Sequence, residues 1–101
     1  MIIKLNNQNL QHTISTYPTV LVKFGAHWCA PCKEQDKILK ELAVSIPSVV
    51  FGEVDYDEDT SLAQTYQISS LPTLILFRND TERVRLIGLQ TRQTIQNIVK
   101  M

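Results

Sequence analysis

The chain has 101 residues, 44% of them apolar and 20% charged, with ten basic and ten acidic side chains balancing to zero net charge. That length suits one compact domain spanning 1–101, and the composition is that of a globular protein and not of a disordered one. Balanced charge leaves no polybasic face for nucleic acid or anionic membrane, and the longest apolar runs are far too short to cross a bilayer.

The opening Met1-Ile2-Ile3-Lys4-Leu5 lacks the basic region, long apolar stretch and small-residue cleavage site of a secretory signal, so a cytoplasmic location is expected. Ile2 to Leu5 reads as a short strand. Asn6 or Asn7 is placed to cap a helix whose Leu10 and Ile14 fall on one face. Beyond Pro18, Val20-Leu21-Val22-Lys23-Phe24 is a nearly continuous apolar run, the pattern of a central strand covered on both faces. A helix from about Pro31 through Ala43 places Gln35, Ile38, Leu39, Leu42 and Ile46 at helical spacing, with Pro47 closing it. Val49 to Val54 is a second buried strand.

Asp55 to Thr60 forms an acidic turn, and Ser61 with Gln64 predicts a capping box for a short helix carrying Leu62, Ala63 and Tyr66. Pro72 precedes a strand over Thr73 to Phe77. Asn79-Asp80 supplies turn chemistry, and Val84 and Leu86 alternate with Arg83 and Arg85, which predicts an antiparallel hairpin with one face exposed. Thr91 caps a last helix with Ile95, Ile98 and Val99 as its buried stripe. The order βαβαβαββα predicts an α/β fold, a mixed central sheet with helices on both faces.

Trp28-Cys29-Ala30-Pro31-Cys32-Lys33 falls where the apolar strand gives way to a helix. At a helix N-terminus, unpaired N–H groups and the positive end of the dipole stabilise an anion, so Cys29 is expected to ionise readily and to be the exposed, attacking sulfur. Cys32, one turn in and facing the core, is expected to resolve the mixed disulfide. Pro31 suits the first helical turn. Structural zinc needs about four ligands. The remaining candidates, His12 and His27, lack ligand spacing, so no metal is expected.

The segment Val20 to Lys33, with its Trp28-Cys29-Ala30-Pro31-Cys32, resembles the active-site strand and turn of thioredoxins, and Ser70-Leu71-Pro72-Thr73 resembles their cis-proline loop. The likeness continues through Leu86-Ile87-Gly88 and the last helix. It implies a thioredoxin fold, a five-stranded sheet flanked by four helices with the Val20 strand between the Val49 and Thr73 strands. It also implies a shallow substrate groove around Trp28, Ala30, Pro31, Leu71, Pro72 and Gly88. Pro72 would sit against the dithiol with a cis peptide bond, and the Leu71 backbone would pair with a target peptide as an added strand. No bound cofactor is implied. Electrons would come from NADPH through a flavoprotein thioredoxin reductase, the targets would be disulfide-containing proteins, and the carrier would be a monomer.

Smaller readings stay open. Trp28 belongs to the groove or to the core, His27 tunes Cys29 or is a solvated loop residue, Tyr56 rims the groove or is structural, and Gly88 admits a substrate chain or relaxes a strand end.

The sequence also departs from the family's pattern. Lys23 stands where an acidic residue usually lies beneath the second cysteine, and Glu53 stands where a lysine is usual on the adjacent strand. Either the exchanged charges pair and Glu53 inherits the proton-accepting role, or Lys23 extends to solvent and Glu53 is exposed near a strand end. Ala30 replaces a common glycine, Gly25 a frequent aromatic, and Lys37 a helix-bending proline. Against a protein-disulfide reductase stand two alternatives. A thioredoxin-fold binding module is disfavoured by the intact Cys29, Cys32 and Pro72, and an oxidase or isomerase by the expected reducing compartment.

Overall fold

The computed structural model describes residues 2–101. Its elements follow the order expected: β1 (Ile2–Lys4), α1 (Leu10–Thr16), β2 (Thr19–Gly25), α2 (Ala30–Ser45), β3 (Val50–Asp55), α3 (Thr60–Thr65), β4 (Thr73–Arg78), β5 (Thr81–Ile87) and α4 (Arg92–Val99). They form one five-stranded sheet in the order β1-β3-β2-β4-β5. Strands β1, β3 and β2 run parallel, whereas β4 is antiparallel to β2 and β5 to β4.

Period-two alternation along β2 explains the two-sided core. Val20, Val22 and Phe24 pack with Leu10, Ile14, Leu62 and Ala63, which brings α1 and α3 onto one face. Leu21 packs with Leu39, Leu42, Ile95 and Ile98, which brings α2 and α4 onto the other. Burying side chains of this size contributes about 1.5–3 kcal/mol each, so the central strand anchors both layers. Lys23 shares the parity of Leu21 and therefore points toward the layer of α2, with Glu53 as its register partner on β3.

Asn79 and Asp80, with φ of 52° and 68°, form the tight β4–β5 connection that their types favour. A register shift at Leu76/Phe77 lets Leu76 pair with Val84 and Phe77 with Glu82, so the hairpin carries a bulge.

Two caps differ from expectation. Helix α1 starts at Leu10, with Asn9 at its N-cap. Asn6 instead accepts hydrogen bonds from the N–H groups of Gln8 and Asn9 at 2.8 and 3.1 Å, closing the turn ahead of the helix. Helix α3 starts at Thr60 after Asp59, which makes no side-chain cap bond. Ser61 lies within the first turn and its Oγ accepts from Asn7 Nδ2 at 2.8 Å, so no capping box forms with Gln64. Asparagine and serine side chains bond to any nearby polar group, and here the chain crossing decided which.

Candidate functional site

Strand β2 ends at Gly25, and after a short loop α2 begins with Cys29 as its N-cap. The extended backbone of Cys29, φ −93° and ψ 106°, turns its sulfur over the helix end, where Sγ accepts the Cys32 N–H at 3.2 Å. This is the position of a capping oxygen, filled by sulfur. A thiolate formed there meets unpaired backbone donors and the positive end of a helix of 16 residues. Pro31 sits in the first turn, which has no need of its missing N–H. Cys29 and Cys32 are joined as a disulfide with Cα atoms 5.2 Å apart.

Burial separates the two sulfurs less than expected. Cys32 is fully buried, and Cys29 is 5% exposed in the disulfide form, not open as its place at the helix start suggested. Tyr56 and Leu71, from two other loops, pack on the cluster formed by Cys29, Cys32 and Ala26. Around this lid the surface is open: Trp28, Ala30 and Pro31 are exposed.

The Leu71-Pro72 peptide is cis, as the resemblance implied. The Pro72 carbonyl accepts the Gly88 N–H at 2.8 Å, and Thr73 Oγ1 donates to the Ser70 carbonyl at 2.6 Å. Gly88 takes φ +90°, a conformation that favours glycine, so its residue type is explained by the backbone bond to the proline loop. Trp28 lies at the surface, 67% exposed, and its Nε1 donates to Asp57 Oδ2 at 2.7 Å. Asp55 in turn accepts the N–H groups of Asp57 and Glu58, which fixes the acidic turn beneath Trp28. His27 is solvated, with Nδ1 3.7 Å from Asp55. Tyr56 touches the cysteine cluster and so lies at the site.

Lys23 does not reach for solvent. It is 5% exposed, its ammonium donates to Asp36 on α2, and Glu53 Oε2 lies 3.6 Å away. The exchanged charges are thus paired, with a third member that sequence reasoning missed. Asp36 falls four residues after Cys32 on α2, one turn along the same face, and that spacing was the available signal. A cleft of about 320 Å³ opens beside the group, lined by Lys23, Gly25, Asp36, Glu53, Lys33 and Asp55 among others. Asp57 and the Gln35–Gln90 pair were also missed. The Gln35 side chain accepts the Gln90 N–H at 2.8 Å and donates to its carbonyl at 3.2 Å, tying α2 to the segment after Gly88.

A reversible bond between two sulfurs at a helix N-terminus can exchange with another disulfide, transferring two electrons. Comparison with known proteins agrees with that chemistry. The thioredoxin family model matches residues 1–101. A thioredoxin of Chlamydia pneumoniae is 37% identical over 99 residues, covering 98% of this chain and 96% of its own. Among solved structures, a mutant thioredoxin from Halobacterium salinarum superposes with a TM-score of 0.91 at 26% identity, covering 97% of this chain and 87% of its own. Oxidized mitochondrial thioredoxin 3 from Saccharomyces cerevisiae gives 0.90 at 27%, covering 98% and 93%. Family match and sulfur pair together mean that this chain belongs to the thioredoxin family and is a dithiol thiol-disulfide oxidoreductase.

Proposed function

We propose that the chain works in the reducing direction, as a single-domain, monomeric protein-disulfide reductase of the cytoplasm. Cys29 thiolate attacks a target disulfide, a mixed disulfide forms, and Cys32 then attacks Cys29 Sγ, releasing the target reduced. The observation that carries the role assignment is the capping geometry: Cys29 Sγ, not Cys32 Sγ, faces the helix N-terminus and accepts a backbone N–H. Trp28, Ala30, Pro31, Leu71, Pro72 and Gly88 form the docking groove, where an extended target segment pairs with the backbone at Leu71. Lys23 and Glu53 tune charge beside the dithiol, with Glu53 as a proton acceptor.

The disulfide left after each cycle is reduced by NADPH through a flavoprotein thioredoxin reductase. The test is NADPH oxidation coupled to reduction of a model disulfide protein in the presence of such a reductase. Wild type is expected to support turnover and Cys29→Ser to abolish it. Full turnover by Cys29→Ser would refute the assignment.

A further inference from the structure

Resting on the reductase reading, we propose that resolution by Cys32 is driven by a buried cation, the Lys23 ammonium, and that Asp36 is the positioning residue holding it there. Three observations converge. First, a Cβ built on Gly25 would stand 3.2 Å from Lys23 Nζ and 3.2 Å from Cys32 Sγ, so ammonium and sulfur are no farther apart than twice that distance. Second, Lys23 and Cys32 are both buried, which weakens screening of one by solvent. Third, Lys23 has a carboxylate on each side, Asp36 from α2 and Glu53 from β3, which compensates a charge buried in an otherwise costly place.

The groups facing this centre are Lys23 from β2, Asp36 and Lys33 from α2, Glu53 and Asp55 from β3, and His27 from the loop after β2. Farther out, Lys4 and Glu58 pair at 3.4 Å. The Lys23 ammonium thus stands close to the resolving sulfur, with Asp36 and Glu53 paired to it. A cation at this range stabilises thiolate over thiol. In the step, the Cys32 thiol loses its proton into the cleft, where Glu53 and solvent receive it. The thiolate forms a bond to Cys29 Sγ, the Cys29–target bond breaks, and the target sulfur leaves with the electron pair and takes a proton from solvent. Lys23 acts by its position and charge and does not relay the proton.

The test is stopped-flow reaction of the reduced protein with an aromatic disulfide that releases a coloured thiolate. Attack by Cys29 gives the first release and resolution by Cys32 the second, so each sulfur is read separately against pH. Lys23→Met is expected to raise the pH midpoint of the second release by about one or more. Thiolate becomes scarcer but each one is more nucleophilic, so the net slowing at neutral pH is about threefold or more.

Asp36→Asn is expected to move the same midpoint upward, and Lys23→Met to add less in the Asp36→Asn background than alone. A downward shift for Asp36→Asn would mean that Asp36 only offsets the lysine charge, and would overturn its positioning role. An unmoved midpoint in Lys23→Met, with first release intact, would overturn the cation itself. Absence of the first release in wild type would instead refute the reductase reading.

Discussion

Gly25 and Lys23 occupy one another's space: a Cβ on Gly25 would lie 3.0 Å from Lys23 Cε, as well as 3.2 Å from its Nζ and from Cys32 Sγ. The glycine at the end of β2 therefore leaves room for the lysine two residues earlier and for Cys32 Sγ. A side chain there presses on the end of Lys23, whose ammonium is held by Asp36 and Glu53, and on Cys32 Sγ. Gly25→Ala is expected to destabilise the protein by about 1–3 kcal/mol, the usual cost of overfilling a packed site. In a Lys23→Ala background the cost should fall, leaving the part that comes from Cys32 Sγ. Urea midpoints of the four proteins in the double-mutant cycle measure the coupling. Equal costs in both backgrounds would disprove the relationship.

Differential reactivity of the sulfurs follows from the capping geometry and from burial. In the reduced protein Cys29 is expected to be alkylated well before Cys32, since it combines the helix-end environment with the little exposure that Tyr56 and Leu71 leave. Mass mapping after limiting iodoacetamide checks this, and preferential labelling of Cys32 would reverse the roles. Cys32→Ser should accumulate mixed disulfides through Cys29, because attack survives and resolution does not.

The sheet was legible because its strands are short apolar runs bounded by Pro, Asn and Asp, and because β2, covered on both faces, lacks polar alternation. Lys23 was visible as the one charge in that run and Glu53 as a candidate partner, but Asp36 was not. A polar residue on a helix reads as solvated, and only the crossing of α2 over β2 brings Asp36 onto Lys23. Burial of Cys29 was hidden for a similar reason, since Tyr56 and Leu71 arrive from distant loops. The bulge at Leu76/Phe77 left no mark in the alternation of Val84 and Leu86, which both face the core as read.

Tyr66 supplies a pH dependence at the alkaline end. Its ring packs against Phe24 and Phe77, with centroids 5.9 and 5.8 Å away, and burial raises its phenol above the usual 10.0, with Glu82 and then Asp80 pushing the same way. The unfolded chain gives up this proton near its ordinary value while the folded chain retains it. The stabilising effect is complete below that value and is lost as pH rises through the folded pKa. Tyr66→Phe is therefore expected to lose less stability than wild type between about pH 8 and about pH 11, with urea midpoints as the readout. Identical losses would show that the phenol does not carry the effect.

Gln35 gives the sharpest test of how the site is held together. It lies on the buried stripe of α2 beside Leu39 and Leu42, and it is fully buried although polar. Its amide answers both backbone groups of Gln90, accepting at 2.8 Å and donating at 3.2 Å. Gln90 Nε2 in turn donates to the carbonyls of Ile87 and Gly88, and the Gly88 N–H is bonded to Pro72. A continuous path of hydrogen bonds thus runs from the helix that carries Cys32 to the proline loop. Gln35→Leu keeps the apolar stem and removes the amide, leaving a half-buried N–H and C=O without partners. The expected cost is about 1–3 kcal/mol, set by the orphaned groups more than by the bonds lost. Gln35→Glu keeps an acceptor for the Gln90 N–H but presents an anion to its carbonyl, so it should be destabilising too, increasingly as the carboxylate ionises. Amide hydrogen exchange separates this from a general loss of core packing: in Gln35→Leu, protection should fall first at Gly88 and Gln90 while Val22 and Ile75 keep theirs. Uniform loss across all four would mean that Gln35 serves only the core.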